Sequence, residues 1–545
     1  MPPSTESVIV IGAGIGGLSA ALRLAARGLS VTVFEASDAP GGKIRTLPSV
    51  AGPVDAGPTV LTLKPVFDAL FQEIGEALED HVTLTRLDIL ARHFWDDGMV
   101  LDLYADEARS LDAIGEAFGS QARHDFAGYS ARARRLFAAF DGPMLQSGAP
   151  SQQALALRVL RQPRLLADMA PHRSLASALE AGVREPRLAQ LFARYATYVG
   201  GTPARTPALL SLIWEAEARG VWAVDGGMQR LAQAIATLAE SKGATFRYGE
   251  PVIRVVQQSG RAVAVETAAG QLTADAVLFN GDPRALRCGD LGPAPVESVS
   301  DASLEPRSLS AQVYAFAAEM NGPELAYHNV FFGHDPSAEF AALDRGTVPE
   351  DATLYLCAQD RAAGPARGVE RIEIIRNAPP MSGGEEAIEK EKELCQRRVF
   401  DRLAAFGVVP DPFPRPDALT VPREFGALFP ASLGSLYGRS PRGLTAGLKR
   451  PRARSALPGL YLCGGGAHPG AGVPMAALSG RHAAEAILTD LASTSTSRRT
   501  ATRGGMSTVS PTTDGAASRS SGSSGRSSPP GTPGPGAATR RTTSA

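Results

Sequence analysis

The chain has 545 residues, 44% of them hydrophobic, enough for a large buried core shared among two or three subdomains of a soluble α/β enzyme. Its 55 basic and 56 acidic residues leave a formal charge of −1, so nothing global recommends a nucleic-acid or strongly anionic partner. Cys288, Cys357, Cys395 and Cys463 lie far apart with no CxxC pair, and the eight histidines show no HExxH or HxH spacing; this argues against a disulfide framework or metal site and fits a reducing cytoplasm.

The first uncharged run, Ser7 to Leu22, is shorter than the ~20 residues of a membrane span and is interrupted by Gly12, Gly14, Gly16 and Gly17. Glu6 is the only charge before it, so the basic region of a secretory signal is missing. Val8 to Ile11 reads instead as a strand entering Gly12-Ala13-Gly14-Ile15-Gly16-Gly17. A helix follows through Leu18, Leu22 and Leu24, then a strand from Val31 to Phe34 closed by Glu35. This βαβ unit carries a dinucleotide fingerprint: Gly12 permits the tight turn, Gly14 lets a pyrophosphate approach the backbone, and Gly17 lets helix and strand pack closely. Glu35 is placed to accept from ribose hydroxyls, and an acid there disfavours a 2′-phosphate, leaving FAD and NAD.

Downstream, Gly41-Gly42-Lys43 offers paired glycines for close backbone approach and a point charge for phosphate oxygens. The stretch from about 105 to 245 reads as largely helical, with Leu209, Leu212, Ile213 and Ala216 at helical spacing, and Leu231, Ile235 and Leu238 likewise. Ala276 to Phe279 reads as another strand. The runs Ala311 to Phe316 and Thr353 to Cys357 predict a second sheet inserted between parts of the nucleotide-binding domain. Near the end, a strand in Gly459-Leu460-Tyr461-Leu462-Cys463 runs into Gly464-Gly465-Gly466 and leads to a helix from Met475 to Ile487. From Leu491 onward the composition is Ser, Thr, Gly, Pro, Ala and Arg, with Asp514 the only acid, and the segment is predicted to be disordered, its arginines without a role.

The Gly41-Gly42 pair with its cation resembles the second signature of the FAD-dependent amine-oxidase and phytoene-desaturase superfamily, and the segment Gly459 to Met475 resembles the element that closes its FAD site. Several other stretches resemble bacterial carotenoid desaturases of the phytoene-desaturase type: Asp55-Ala56-Gly57-Pro58-Thr59-Val60, Tyr195 to Gly201, Gly226-Gly227-Met228, His328-Asn329-Val330-Phe331-Phe332 and Gly434-Ser435-Leu436-Tyr437-Gly438. Leu61 to Asp68 and His93 to Gly98 are most similar to hydroxycarotenoid 3,4-desaturases (methoxyneurosporene dehydrogenases) of purple photosynthetic bacteria.

The resemblance implies a Rossmann-like FAD-binding α/β domain with an inserted α+β substrate domain and a helical region. The expected boundaries are 1–104, 226–285 and 436–490 for the FAD-binding parts, 105–225 for the helical, membrane-associating region, 286–435 for the substrate domain and 491–545 for the tail. It implies FAD contacts at Glu35, Lys43, Pro58, Thr59 and Val252, with the strand of Val252 meeting the adenine side. Asn280 would mark the turn away from the nucleotide, and Leu436, Gly466 and Met475 would lie near the flavin ring. The implied reaction removes two hydrogens from a saturated carbon pair of an acyclic carotenoid, as a proton and as a hydride to flavin N5, without an assignable catalytic base. The sequence leaves the electron acceptor open, with quinone and oxygen among the candidates. A hydroxyl on an otherwise apolar polyene needs a hydrogen-bond partner, for which Arg92, His93 and His328 are the candidates. Because such a substrate resides in the bilayer, the resemblance implies a cytoplasmic enzyme peripherally bound to the inner, photosynthetic membrane; the helix around Leu209, Leu212, Ile213 and Trp214 is one candidate patch, with core packing the competing reading. Phytoene desaturation, carotene isomerisation, an amine- or porphyrinogen-oxidising flavoprotein and a non-catalytic flavin-binding scaffold remain alternatives.

Overall fold

A computed structural model describes residues 6–381 and 388–503. The nucleotide-binding part is built on a five-stranded sheet in the spatial order Leu460–Leu462, Ala276–Phe279, Ser7–Ile11, Ser30–Phe34, Thr245–Arg247. All four pairings are parallel, and a parallel sheet covered on both faces calls for continuous apolar runs, which VIVI and AVLF supply. Alternation along the first strand sends Val8 and Val10 toward the helix Ile15–Ala26, where Leu18 and Leu22 pack with Ala483 and Ile487. Ile9 and Ile11 point the other way and pack with Val277, Phe279, Leu460 and Val265.

The second sheet has eight strands. Its main path runs Val409–Asp411, Ser310–Asn321, Glu370–Ala378, Leu354–Ala358, His328–Phe331, Ile89–Phe94, Val100–Tyr104, and Leu419–Thr420 pairs beside Ser310–Asn321. The runs Ala311 to Phe316 and Thr353 to Cys357 both lie in it. The strands Ile89–Phe94 and Val100–Tyr104, expected within the first FAD-binding part, join this sheet as well, because Ile89–Phe94 pairs in parallel with His328–Phe331. That pairing spans more than two hundred residues, and local periodicity carries no trace of it. One face of the sheet packs Phe94, Phe316, Phe331, Leu356 and Ile374 against Val399, Phe400 and Leu403 of the helix Ile388–Ala405. The opposite face puts Trp95, Leu101, Val330 and Cys357 against Phe126, Phe192, Tyr195 and Trp214 of the helical region.

Helices fill most of 107–218. Leu209 and Leu212 lie on a 3-10 turn, Ala208–Leu212, and pack on Leu155, Val159 and Leu165, while Trp214 is buried in the adjoining cluster, so this segment is core. The final helix is longer than expected: it runs Val473–Arg503 and so contradicts disorder from 491. Extending a formed helix adds one hydrogen bond per residue fixed, so a Ser- and Thr-rich composition continues a helix that it would not nucleate. Residues 504–545 lie outside the described residues.

Candidate active site

The fingerprint glycines close on one side chain. Asn280, which follows the strand Ala276–Phe279, donates from Nδ2 to the Gly12 carbonyl at 3.0 Å and the Gly14 carbonyl at 3.2 Å, and its Oδ1 accepts from Cys463 Sγ at 3.4 Å. Gly12 has φ +97°, and a Cβ on Gly17 would fall 2.2 Å from the Gly12 carbonyl oxygen, so neither position tolerates a side chain. Gly14 caps the helix Ile15–Ala26 with no side-chain cap, leaving first-turn N–H groups and the positive dipole end for an anion. Glu35 ties this loop to its neighbour: Oε2 accepts from the Ala13 N–H at 2.6 Å, and Oε1 from the Ser37 N–H and hydroxyl at 2.9 and 2.8 Å. Gly41 donates to the Ala13 carbonyl, and a Cβ on Gly42 would stand 3.1 Å from Gly14 Cα. Six sequence-predicted residues, Gly12, Gly14, Gly17, Glu35, Gly41 and Gly42, therefore form one cradle whose shape and donors fit an FAD pyrophosphate and ribose.

Lys43 lies at the rim of the cradle. Its Nζ donates to the Leu436 carbonyl at 2.6 Å and stands 5.5 Å from the centre of the Phe429 ring. Burial pushes its pKa down to about 8. The segment 436–438 in turn meets the C-terminal glycines, since a Cβ on Gly438 would lie 3.0 Å from Gly466 Cα. Arg450, which sequence reasoning missed, joins them: it donates to the carbonyls of Gly465, Tyr437 and Arg439 at 2.8, 2.8 and 2.7 Å. Burial lowers its pKa to about 10. Gly466 is held against Pro283, and Met475 is partly buried in the first turns of the last helix. Val252 is half-buried beside Val255 but precedes the strand Arg254–Gln258 rather than lying in it; the segment still passes Glu35, whose carbonyl accepts from the Glu250 N–H.

After Pro58, Thr59 connects the cradle to the large sheet. Its hydroxyl donates to Glu373 Oε2 at 3.1 Å and lies 2.9 Å from the Tyr355 hydroxyl, which lies 2.7 Å from His328 Nδ1. Register explains this row, because Glu373 sits opposite Cys357, which sits opposite His328, and Tyr355 shares the face of Cys357. The Glu373 carboxyl is pushed well up by burial and by Asp55, whereas burial and then Arg194 push His328 down to about 3, so the ring is neutral. With the Glu373 proton on Oε2 the chain can also run Glu373 to Thr59 to Tyr355 to His328 Nδ1, which leaves the hydrogen on Nε2. His328 Nε2 and Glu373 Oε1 are buried without a hydrogen-bond partner among the described residues. Asp55 borders the row, accepts from the Met228 N–H at 2.6 Å, and is raised by burial to about 6. Gly227, at φ +95°, would place a Cβ 2.8 Å from its Oδ2, which accounts for the Gly-Gly-Met turn.

His93 shares the face of His328. Its Nε2 lies 3.4 Å from Arg194 Nη2 and its Nδ1 3.1 Å from the Leu101 carbonyl. Arginine only donates, so Nε2 accepts and Nδ1 carries the hydrogen; burial and then Arg194 hold the pKa well below the usual value. Arg194 also donates to the Tyr198 hydroxyl, and Tyr195 donates to Glu217 at 2.7 Å. Arg92 points to the opposite face, where it grips Asp102 at 2.8 and 2.9 Å and the Glu324 carbonyl at 2.8 Å. The structure thus brings His93 and His328 together and leaves Arg92 apart. Tyr355, Glu373 and Arg194 were missed; a glutamate inside the strand segment Arg371-Ile372-Glu373-Ile374-Ile375 was the one readable signal, since a buried acid in a central strand needs a reason.

A family model described as flavin containing amine oxidoreductase matches residues 15–317. The chain is 54% identical over 490 residues to a protein named hydroxyneurosporene desaturase from Cereibacter sphaeroides, covering 90% of this chain and 98% of that one. A protein of the same name from Rhodobacter capsulatus is 47% identical over 489 residues, covering 89% and 98%. Among solved structures, cyclohexylamine oxidase from Brevibacterium oxydans superposes with a TM-score of 0.55 at 16% identity, covering 89% of this chain and 99% of that one, a likeness of fold. The chain therefore belongs to the flavin-containing amine oxidoreductase family and is an FAD-dependent oxidoreductase of its carotenoid-desaturase branch.

Proposed function

We propose that the chain introduces a C-3,4 double bond into an acyclic 1-hydroxy- or methoxy-carotenoid of the hydroxyneurosporene type. The observation that carries this reading is the buried polar row Glu373, Thr59, Tyr355 and His328, which with His93 and Arg194 interrupts a sheet face covered by apolar and aromatic side chains. A pure hydrocarbon has no use for such a row, whereas a single oxygen on a polyene needs one partner there. The names of the relatives support the same substrate class. An Nε2–H on neutral His328 donates equally to a hydroxyl or a methoxy oxygen, and His93 with Arg194 closes the polar end.

Bound FAD supplies the two-electron acceptor for the hydrogens removed from the carbon pair. The chain's own residues would hold and align it: the first turn of Ile15–Ala26 would take the pyrophosphate, Glu35 the ribose, and Leu436, Gly466 and Met475 would border the ring, with Lys43 bonded to the Leu436 carbonyl rather than left free for a phosphate. The helical region above the sheet excludes water and orients the polyene by shape. Electrons leave to quinone or oxygen. The proposed place of action is the cytoplasmic side of the inner, photosynthetic membrane, with the enzyme bound to its surface because an acyclic carotenoid resides in the bilayer; among the described residues no helix is long and apolar enough to cross a membrane.

The test is anaerobic incubation of the FAD-loaded protein with 1-hydroxyneurosporene, and separately with phytoene, in liposomes. Loss of two hydrogens by mass with a red-shifted polyene spectrum, for the hydroxylated substrate alone, is the expected result. Conversion of phytoene instead replaces this reading with general phytoene desaturation.

A further inference from the structure

Exposed large apolar side chains are scattered singly over most of the surface, as at Val50, Val100, Ile253 and Val369, with Val409 and Phe413 as one pair, but Leu157, Leu160 and Leu166 fall within ten residues and are 47%, 72% and 41% exposed. They belong to two short helices, Gln152–Leu160 and Pro163–Met169. Each helix turns one apolar pair inward: Leu155 and Val159 from the first and Leu165 and Met169 from the second pack on Leu136 and Phe140. The core is therefore satisfied without the three outward leucines. Scattered exposed leucines need no explanation, but a cluster does.

The polar groups between them are of one sign. Arg158, Arg161 and Arg164 are exposed on the outward side, and the one acid of the two helices, Asp168, is turned inward and held by Arg135. Several exposed arginines elsewhere find carboxylates, as in Arg109 with Asp88, Arg123 with Asp112, Arg134 with Glu107 and Arg254 with Glu266, and others, such as Arg86 and Arg345, do not; these three form no ion pair among the described residues and fall within seven positions of one another. Leucines interleaved with cations on a short amphipathic helix are the chemistry of an anionic membrane interface, the leucines entering the acyl boundary and the guanidinium groups meeting lipid phosphates.

We infer that the helix pair Gln152–Leu160 and Pro163–Met169 is the surface by which this protein docks on an anionic phospholipid bilayer. A second copy of the chain is a poor occupant, because a two-fold contact would press like-charged arginines together; a nucleic acid would leave the leucines without a role. Beside Leu166 a cleft of ≈ 800 Å³ opens, walled by Tyr129, Arg132, Pro163, His172 and Arg173. Its Tyr129 ring lies 4.3 Å from Phe192, which packs on Tyr195. The docked face thus adjoins the helical wall that covers the polar row. The inference rests on the carotenoid reading only for why a bilayer is the partner.

The experiment is co-sedimentation of the FAD-loaded full chain, without carotenoid, with phosphatidylcholine vesicles that contain or lack phosphatidylglycerol. Wild type is expected to bind the anionic vesicles. R158Q/R161Q/R164Q should weaken that binding roughly a hundredfold, at about fivefold per arginine, and L157S/L160S/L166S should weaken binding to both compositions. V50S/V409S should change neither, and unchanged flavin content with a cooperative melt verifies the fold of each variant. Wild-type partitioning by both triple variants overturns the inference, as does a change in oligomeric state in place of vesicle binding. Turnover of 1-hydroxyneurosporene in detergent micelles is measured in parallel: vesicle binding as expected with no turnover leaves the docking surface standing and removes the substrate reading.

Discussion

Lys43 and Leu436 are 393 positions apart in the chain, yet the lysine Nζ donates to the leucine carbonyl at 2.6 Å. The contact joins the second glycine signature to the segment that meets the C-terminal glycines, so the cradle is closed through one ammonium. A partly buried ammonium costs solvation that a single carbonyl and the Phe429 face restore only in part.

Lys43→Met keeps the stem and removes the charge, leaving the Leu436 carbonyl without its donor. FAD affinity is expected to fall about tenfold, in line with ~1–3 kcal/mol for an abandoned buried partner, as read by flavin retention on dilution. The pKa of Lys43 is lowered in the folded state to about 8, so the unfolded chain binds more protons between pH 8 and the ordinary lysine value. Wild-type stability should therefore rise relative to Lys43→Met across that window, measured by urea midpoints; a constant difference contradicts the assignment.

Asn280→Ala removes both hydrogen bonds to Gly12 and Gly14 and should destabilise the fold by ~2–3 kcal/mol, with flavin lost in proportion. Gly17→Ala should be worse, since the added methyl meets the Gly12 carbonyl at 2.2 Å. Thermal melts of the two variants, with flavin content measured beside them, test the order.

His328→Phe should lower kcat/KM for the hydroxylated carotenoid roughly tenfold to a hundredfold and leave the non-hydroxylated analogue unaffected or improved. Tyr355→Phe should follow the same pattern. Because His328 is pushed down to about 3 in the fold, the unfolded chain alone takes up its proton between about pH 6.5 and 3. The contribution of this neutral ring to stability is full above that window and is lost as pH falls through it, so the stability gap between wild type and His328→Phe should change below pH 6.5, as read in acid-unfolding midpoints, and not above it.

Arg92→Leu is the counterpart on the other face of the same sheet. It strands the partly exposed Asp102 and should cost ~1–3 kcal/mol, but the preference for hydroxylated over non-hydroxylated substrate should stay as in wild type. A shifted preference in steady-state assays with both substrates would move the substrate oxygen to the wrong face for the proposed site.

The residues of the nucleotide cradle were legible in the sequence because each is a local answer to a local demand. Gly12 and Gly41 adopt backbone angles that glycine favours, Gly17 has no room for a methyl, and Glu35 must follow a strand by a fixed count. The short apolar runs Val8 to Ile11, Val31 to Phe34 and Ala276 to Phe279 were legible as strands for the same reason. By itself the sequence determined the βαβ fingerprint, the helical middle and the closing strand and helix, and hence the cofactor class. Tertiary structure alone decided that Ile89–Phe94 pairs with His328–Phe331, and this put His93 beside His328 while turning Arg92 away. It also decided that Glu373, Tyr355 and Thr59 form one buried row and that Lys43 reaches Leu436. Those relationships depend on strand register between distant segments, where a shift of one residue exchanges the two faces of a sheet, and a register set by packing leaves no local pattern to read.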